Sequence, residues 1–214
     1  MKKKILIFSA GSSGREIFQL ISNINKSKNE WDIIGYVDDD PKKTGNKIDD
    51  VMVYSNKNKP KKKNIFAACG IMDHVNRKRI FENEIIKSGY QITNLIHPTV
   101  ELPKCIKIGQ GNIIFGNIHI SFEVNIKNFN FICNFCDLGH NLAVNDFVTI
   151  LPSVVIGGNC EIGAQTIIGS GAKIYQGIKI GDNCKIGMGS TITGDIKNNT
   201  SVIDHPRKVI SENK

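Results

Sequence analysis

No apolar run in the 214-residue sequence approaches the roughly 18 to 20 residues that a membrane-spanning helix requires. The nearest imitation lies at the start, where Met1-Lys2-Lys3-Lys4 precede the apolar Ile5 to Phe8. That run is too short for the core of a secretory signal, and Ser9-Ala10-Gly11 leads into a helical pattern rather than a cleavage site. A soluble, cytoplasmic protein is the expectation. A second C-x-x-C is missing too. Cys133 and Cys136 form the only such pair among 6 cysteines, so neither a zinc site nor a disulfide framework is expected, and packed, reduced thiols suit a cytosolic chain. The net charge is +8, with Lys57, Lys59, Lys61, Lys62 and Lys63 in one polar run. No aromatic residue interrupts that run, which disfavours a nucleic-acid surface and leaves a solvated loop as the expectation.

What the sequence does contain is a period of six. Ile108, Ile114, Ile120, Ile126, Ile132, Leu138, Val144, Ile150, Ile156, Ile162, Ile168, Ile174, Ile180, Ile186 and Ile192 are all aliphatic. Neither a helix nor a single strand holds a stripe in phase at that spacing, so the period marks a stacked repeat whose units bury their apolar faces only against each other. The residue after the aliphatic is often glycine, as at Gly109, Gly139, Gly157, Gly163, Gly169, Gly181 and Gly187, and reads as a corner needing unusual backbone angles. Four residues after the aliphatic come compact residues, Cys136, Val148, Val154, Cys160, Thr166, Ala172, Cys184 and Ser190, which read as interior filling.

The first part of the chain alternates strand and helix patterns. Ile5 to Ser9 reads as a buried strand, followed by the turn Gly11-Ser12-Ser13-Gly14 and a helix carrying Ile17, Phe18, Leu20 and Ile21, with Ser13 and Glu16 as its capping box. Such a turn offers backbone N–H groups and the positive end of a helix to a phosphate, although the full G-x-G-x-x-G spacing is absent. A second strand, Asp32 to Val37, ends in Asp38-Asp39, where a nucleotide fold meets a ribose or base; a capped loop before Pro41 is the plainer alternative. A third strand, Ile65 to Cys69, ends at Gly70. A helix capped by Asp73 and closed by Gly89 follows, then a strand from Gln91 to Ile96. This pattern predicts a small parallel-sheet domain over 1–97, too short for a complete dinucleotide fold and suited to a nucleotide-linked substrate, joined at His97-Pro98 to the repeat over 98–214.

With these motifs together, residues 3 to 210 resemble the hexapeptide-repeat sugar acetyltransferases of bacterial surface-glycan pathways. The resemblance rests on Gly11-Ser12-Ser13-Gly14, Val37-Asp38-Asp39, Ala68-Cys69-Gly70, Asn94-Leu95-Ile96-His97-Pro98 and a repeat containing Gly139-His140-Asn141. It implies an α/β Rossmann-like small domain followed by an all-β left-handed parallel β-helix, with residues 18 apart stacked vertically in about five coils. It implies a homotrimer with active sites between subunits, a nucleotide-linked sugar held by the small domain at Gly11, Ser12, Ser13, Gly14, Asp38, Asp39 and Gly70, acetyl-CoA as co-substrate, and no metal. It also places the general base at His140, a role that histidine's ordinary titration range suits. Gly158, one coil above, is placed to offer an N–H to the oxyanion, and the acetyl-CoA groove falls near Thr149, Gly158, Ser170 and Met188. The family's carboxylate beside the base is replaced by Asn141, and its second histidine by Thr149. Asp137 is a candidate orienting group, and the tail Asp204-His205-Pro206-Arg207-Lys208 a partial match to the family's closing segment.

N-acetylation of a nucleotide-linked amino sugar is the leading expectation, with O-acetylation of a sialic-acid-like sugar as the alternative within the class. A zinc hydratase on the same scaffold is disfavoured, because His97, His119 and His140 do not share one column. A non-catalytic nucleotide-binding scaffold is the alternative from another class.

Overall fold

A computed structural model describes residues 2–61 and 64–203. The small domain is built from β1 (Lys3–Phe8), α1 (Ser12–Lys28), β2 (Trp31–Val37), β3 (Lys47–Ile48), β4 (Val51–Tyr54), β5 (Ile65–Cys69), α2 (His74–Ile80) running into a π-helical turn over Phe81–Ile86, and β6 (Gln91–Ile92). Its sheet has the order β3-β4-β2-β1-β5-β6. The pairings are parallel apart from the hairpin of β3 with β4. That hairpin is absent from the sequence reading. Its turn is Asp49-Asp50, both with positive φ, where an Asn-Gly or Asp-Gly pair gives the usual signal. Arg15 and the Tyr36 hydroxyl both donate to Asp49 and hold the turn in place.

The repeat coils into a left-handed prism with three faces. The first face stacks Leu95–Ile96, Ile113–Ile114, Phe131–Ile132, Thr149–Ile150, Ile167–Ile168, Lys185–Ile186 and Ser201–Val202. The second stacks His119–Ile120, Asp137–Leu138, Val155–Ile156, Lys173–Ile174 and Thr191–Ile192, and the third runs from Lys107–Ile108 to Lys179–Ile180. Pairing from Asp137 to Val155 and from Leu138 to Ile156 is the 18-residue stacking the period predicts. In each rung the second residue points inward, and these aliphatics, with Cys136, Val148, Val154, Cys160, Ala172 and Cys184, make one continuous core.

Two expectations about the coil need correction. The passage into the prism falls before His97-Pro98, because Leu95–Ile96 already pairs with Ile113–Ile114 as the first rung. The left-handed corner residues are not the glycines after the aliphatic but the residues two further on, among them Phe135, Asn141, Phe147, Ser153 and Asn159. The glycines serve close approach instead: a Cβ on Gly139 would lie 2.6 Å from the Gly158 nitrogen, and one on Gly157 2.6 Å from that of Gln176.

The small domain covers the first face. Ile113, Phe131 and Thr149 are outward-pointing residues of that face and are nevertheless buried, whereas the equivalent Lys185 above them is exposed. Ile17, Leu20 and Ile21 of α1 share a core with Leu95, Ile113, Phe115, Phe131 and Cys133. Arg77 of α2 closes the contact. Its guanidinium, 1% exposed, donates to the carbonyls of Ile71, Met72, Phe129, Phe147 and Val148 and to the Thr149 hydroxyl at 2.6–3.1 Å. Burial pulls its pKa down to about 10, which still leaves it a cation at neutral pH.

The cysteines are free, and five of the 6 are buried. Cys133 faces the small domain while Cys136 faces the prism interior, so the C-x-x-C pair is split between two cores. Burial pushes their thiols up to about 12 and about 11. The lysine run departs from a purely solvated loop: Lys59 turns inward at 6% exposure and donates to the Asn56 carbonyl at 3.0 Å. Lys62 and Lys63 lie outside the described residues, as does the tail from Asp204 onward.

Candidate active site

His140 sits at the corner where the chain passes from the second face to the third. Its imidazole lies flat on the ring of Phe122, one coil below, with centroids 5.2 Å apart and planes at 7°. Gly158 lies directly above, and a Cβ there would collide with the imidazole. The ring therefore occupies a slot that exists because residue 158 has no side chain.

His140 Nδ1 lies 2.9 Å from Asn141 Oδ1. Which tautomer this represents is decided by the far end of the amide. Asn141 Nδ2 donates to Oε2 of Glu123, the residue stacked 18 positions earlier. An ionised carboxylate only accepts, so the amide must turn its NH2 to Glu123 and its oxygen to His140. Nδ1 then carries the proton and Nε2 the lone pair. Asn141 takes the left-handed conformation, φ 54°, that this geometry needs, and asparagine tolerates it better than most residues. Asp137 does not serve as the orienting group. Its Oδ1 lies 2.8 Å from His119 Nδ1, on the second face.

The positions expected to contact acetyl-CoA separate into three groups, with Gly158 at the corner of His140. Ser170 and Met188 stack at the corner between the first and second faces, linked by the Gly189 N–H to the Ser170 carbonyl at 2.9 Å, and Met188 is 79% exposed. Thr149 does not join them. It is buried beneath the small domain, donating to the Met72 carbonyl at 2.7 Å while accepting from Arg77 at 2.9 Å, so it is a bracket between domains rather than a groove residue.

The glycine-rich turn is also more structural than its sequence suggests. Helix α1 begins at Ser12 with Gly11 as N-cap and no side-chain cap, so the Ser13–Glu16 capping box does not form. Instead, Asp38 Oδ2 accepts from the Ala10 N–H at 2.8 Å and Ser9 Oγ from the Gly11 N–H at 3.2 Å. Gly14 and Gly70 are buried against each other, with a Cβ on Gly70 falling 2.5 Å from the Gly14 Cα, so both allow α1 to approach the sheet. Burial would raise the Asp38 carboxyl, but N–H groups of Ala10 and Asp40 and the Lys43 ammonium together outweigh it and hold the group below the usual carboxylate range. Asp39 accepts from the Asn56 N–H at 2.7 Å.

Asp38 and Asp39 do border a cleft of about 260 Å³, shared with Phe8, Ser9, Val37, Asn56, Ile71, Arg79, Ile80 and Glu84. Gly11, Ser12, Ser13, Gly14 and Gly70 are not among the residues lining it. The sequence reading missed Asn56, Arg79, Glu84 and Glu123. The first three carry no motif, and Glu123 becomes visible only when residues 18 apart are paired. Because the small domain covers the first face and His140 lies at the opposite edge of the prism, one chain does not bring the cleft and the imidazole together.

Comparison with known proteins agrees with this architecture. The profile of bacterial transferase hexapeptide (six repeats) matches residues 142–176 and 159–194, and that of the PglD N-terminal domain matches residues 4–83. The chain belongs to the hexapeptide-repeat bacterial transferases that carry this N-terminal domain. No curated protein sequence matches it significantly. Among solved structures, the acetyltransferase domain of PglB from Neisseria gonorrhoeae FA1090 superposes with a TM-score of 0.84 at 22% identity, covering 94% of this chain and 96% of that one. A point mutant of perosamine N-acetyltransferase from Caulobacter crescentus, in complex with CoA and GDP-perosamine, gives 0.83 at 17% identity over 98% and 97%. WeeI from Acinetobacter baumannii AYE gives 0.82 at 21% over 96% and 99%. At these identities the likeness concerns the fold. Among the described residues no helix is long and apolar enough to cross a membrane.

Proposed function

We propose that this transferase moves an acetyl group from acetyl-CoA to the amine of a nucleotide-linked amino sugar. The observation that carries the reading is the state of His140, whose Nδ1 is bonded to Asn141 and whose Nε2 lone pair is left free in the slot beneath Gly158. In this scheme Nε2 takes a proton from the attacking amine as nitrogen bonds to the acetyl carbon. The Gly158 N–H stabilises the oxyanion. Collapse then breaks the C–S bond, and the proton on Nε2 passes to the departing thiolate.

CoA or acetyl-CoA in the structures of the Caulobacter enzyme and the PglB domain, and GDP-perosamine in the former, support these ligand classes. Ser170 and Met188 are the proposed CoA contacts, and the Asp38–Asp39 cleft the proposed site for the nucleotide end of the acceptor. The separation of that cleft from His140 within one chain supports a homo-oligomer, a trimer by the family's precedent, in which the small domain of one subunit serves the histidine of the next. O-acetylation of a sialic-acid-like sugar is favoured by one observation: the Asp38 and Asp39 carboxylates already accept backbone N–H groups, which lessens what they offer a ribose.

Thiol release from acetyl-CoA, measured against UDP- and GDP-linked 4-amino sugars and free and CMP-linked sialic acid, tests the reading, with His140→Ala in parallel. Turnover on an amino sugar that falls by roughly 10²-fold or more in the variant is the expected result. Turnover on sialic acid alone replaces the acceptor, and turnover unaffected by His140→Ala removes the base.

A further inference from the structure

We infer that Glu123 is a positioning residue for the proposed base, supplying through Asn141 the negative charge that no neighbour of His140 in sequence provides. The inference rests on the acetyltransferase reading, but its geometry stands on its own. Three side chains form one line up the corner of the prism: the Glu123 carboxylate, the Asn141 amide and the His140 imidazole.

The contribution of each follows from its chemistry. Asparagine beside a histidine is ambiguous, because its two ends differ only in which donates. An amide turned the other way would present NH2 to Nδ1, force the proton onto Nε2 and remove the base. Glu123 resolves the ambiguity by accepting from Nδ2. When Nε2 takes a proton the imidazolium needs a counter-charge, which a neutral amide lacks. The Glu123 carboxylate polarises the amide toward the ring and supplies that charge one bond further out. Asp137 and Asp146, the carboxylates of the same coil, are engaged by His119 and by Asn128. The coil above contributes Gly158 and Asn159, neither of which titrates. Both Glu123 and Asn141 occupy left-handed corner positions, with φ of 56° and 54°, and both are exposed, so the line is assembled by coil stacking and not by burial.

Two substitutions separate charge from orientation. Glu123→Gln keeps an acceptor for Asn141 and removes the charge; Glu123→Ala removes both. The expected kcat falls about tenfold in the first and roughly 10²-fold in the second, the low end of a general base's contribution. KM for acetyl-CoA should be unchanged, and the acid limb of the kcat/KM profile should move to lower pH in Glu123→Gln. Asn141→Asp placed in the Glu123→Gln background restores a carboxylate next to the ring and should recover most of the lost rate. The 15N chemical shifts of the His140 ring supply a readout independent of turnover: the Nδ1–H tautomer in the starting protein, and a gain of the Nε2–H tautomer in Glu123→Ala. A ring tautomer unchanged in Glu123→Ala, or a kcat and pH profile unchanged in both variants while His140→Ala is inactive, would overturn the inference. Absence of turnover in the unsubstituted protein on every acceptor would instead count against the acetyltransferase reading, and the ring spectra would still decide the role of Glu123.

Discussion

Replacing Arg77 with methionine should detach the small domain from the prism before either loses its own fold. The guanidinium makes six hydrogen bonds of 2.6–3.1 Å, three of them to Phe147, Val148 and Thr149 of the prism and one to Phe129. Bonds from a charged donor contribute roughly 1.5–3 kcal/mol each, against which stands a desolvation cost of several kcal/mol for the buried cation. Truncation also leaves carbonyls of the domain junction without their donor. Each carbonyl left buried without a donor costs about 1–3 kcal/mol, and relief of the cation's desolvation offsets part of that sum, which leaves a net loss of about 3 kcal/mol, or a fall in transition temperature of roughly 6–12 °C for a chain of this size. Methionine retains much of the volume, so the effect reports the bonds more than a cavity. The single tryptophan, Trp31, lies in β2 of the small domain at 3% exposure and reports on the state of that domain. Its fluorescence and the far-ultraviolet signal of the whole chain should melt together in the starting protein, and in the variant the fluorescence should melt first, leaving a later far-ultraviolet transition from the prism. Coincident transitions within about 0.5 kcal/mol of the starting protein would refute the argument, because additions at an independent surface site stay within that range.

Two shorter expectations accompany it. Gly158→Ala places a methyl against the imidazole, so acetyl transfer should fall by roughly 10²-fold or more while the unfolding midpoint, measured in urea, stays put; full activity would show that His140 works from another position. His74 is buried at the start of α2, and burial lowers its pKa, with Arg77 nearby adding to that and Asp73 opposing it. A histidine that charges less readily folded than unfolded contributes stability above its unfolded pKa, near 6.5, and that stability is lost as pH falls through the window beneath. Urea midpoints should therefore drop between pH 7 and pH 5, and His74→Gln should flatten the slope; an unchanged slope would assign the effect to other groups.

The prism was legible because its signal is redundant. An aliphatic at every sixth position from Ile108 to Ile192 survives any single exception, and the 18-residue stacking follows from three units per coil. His140 and Gly158 were legible for the same reason, since they differ by one coil. Glu123 obeys the same arithmetic relative to Asn141, but its relevance depends on which way an amide faces, and that is fixed only by the pair of contacts in space. The glycine turn misled in the opposite direction. Gly11-Ser12-Ser13-Gly14 reads as a phosphate-binding turn, yet the packing of α1 on the sheet gives Gly14, and Gly70 against it, a sufficient structural cause. Thr149 was placed on the groove by analogy, whereas the sequence alone holds nothing to say that the small domain covers the first face.

Stacking at 18 residues makes the length of this chain a quantised variable. An insertion of one coil above Asn159 would lengthen the prism and leave Glu123, His140 and Gly158 in register, since each coil bonds only to its neighbours. Six residues inserted between Glu123 and His140 would preserve every aliphatic position and every rung, yet turn the histidine by a third of a revolution, away from its carboxylate and onto another edge. The aliphatic core of the prism would close equally well in both cases, although the second would carry Phe147, Val148 and Thr149 away from Arg77. The stripe of aliphatics protects height and shape but is blind to phase, so a protein of this kind can lose its chemistry through a change that its core does not register.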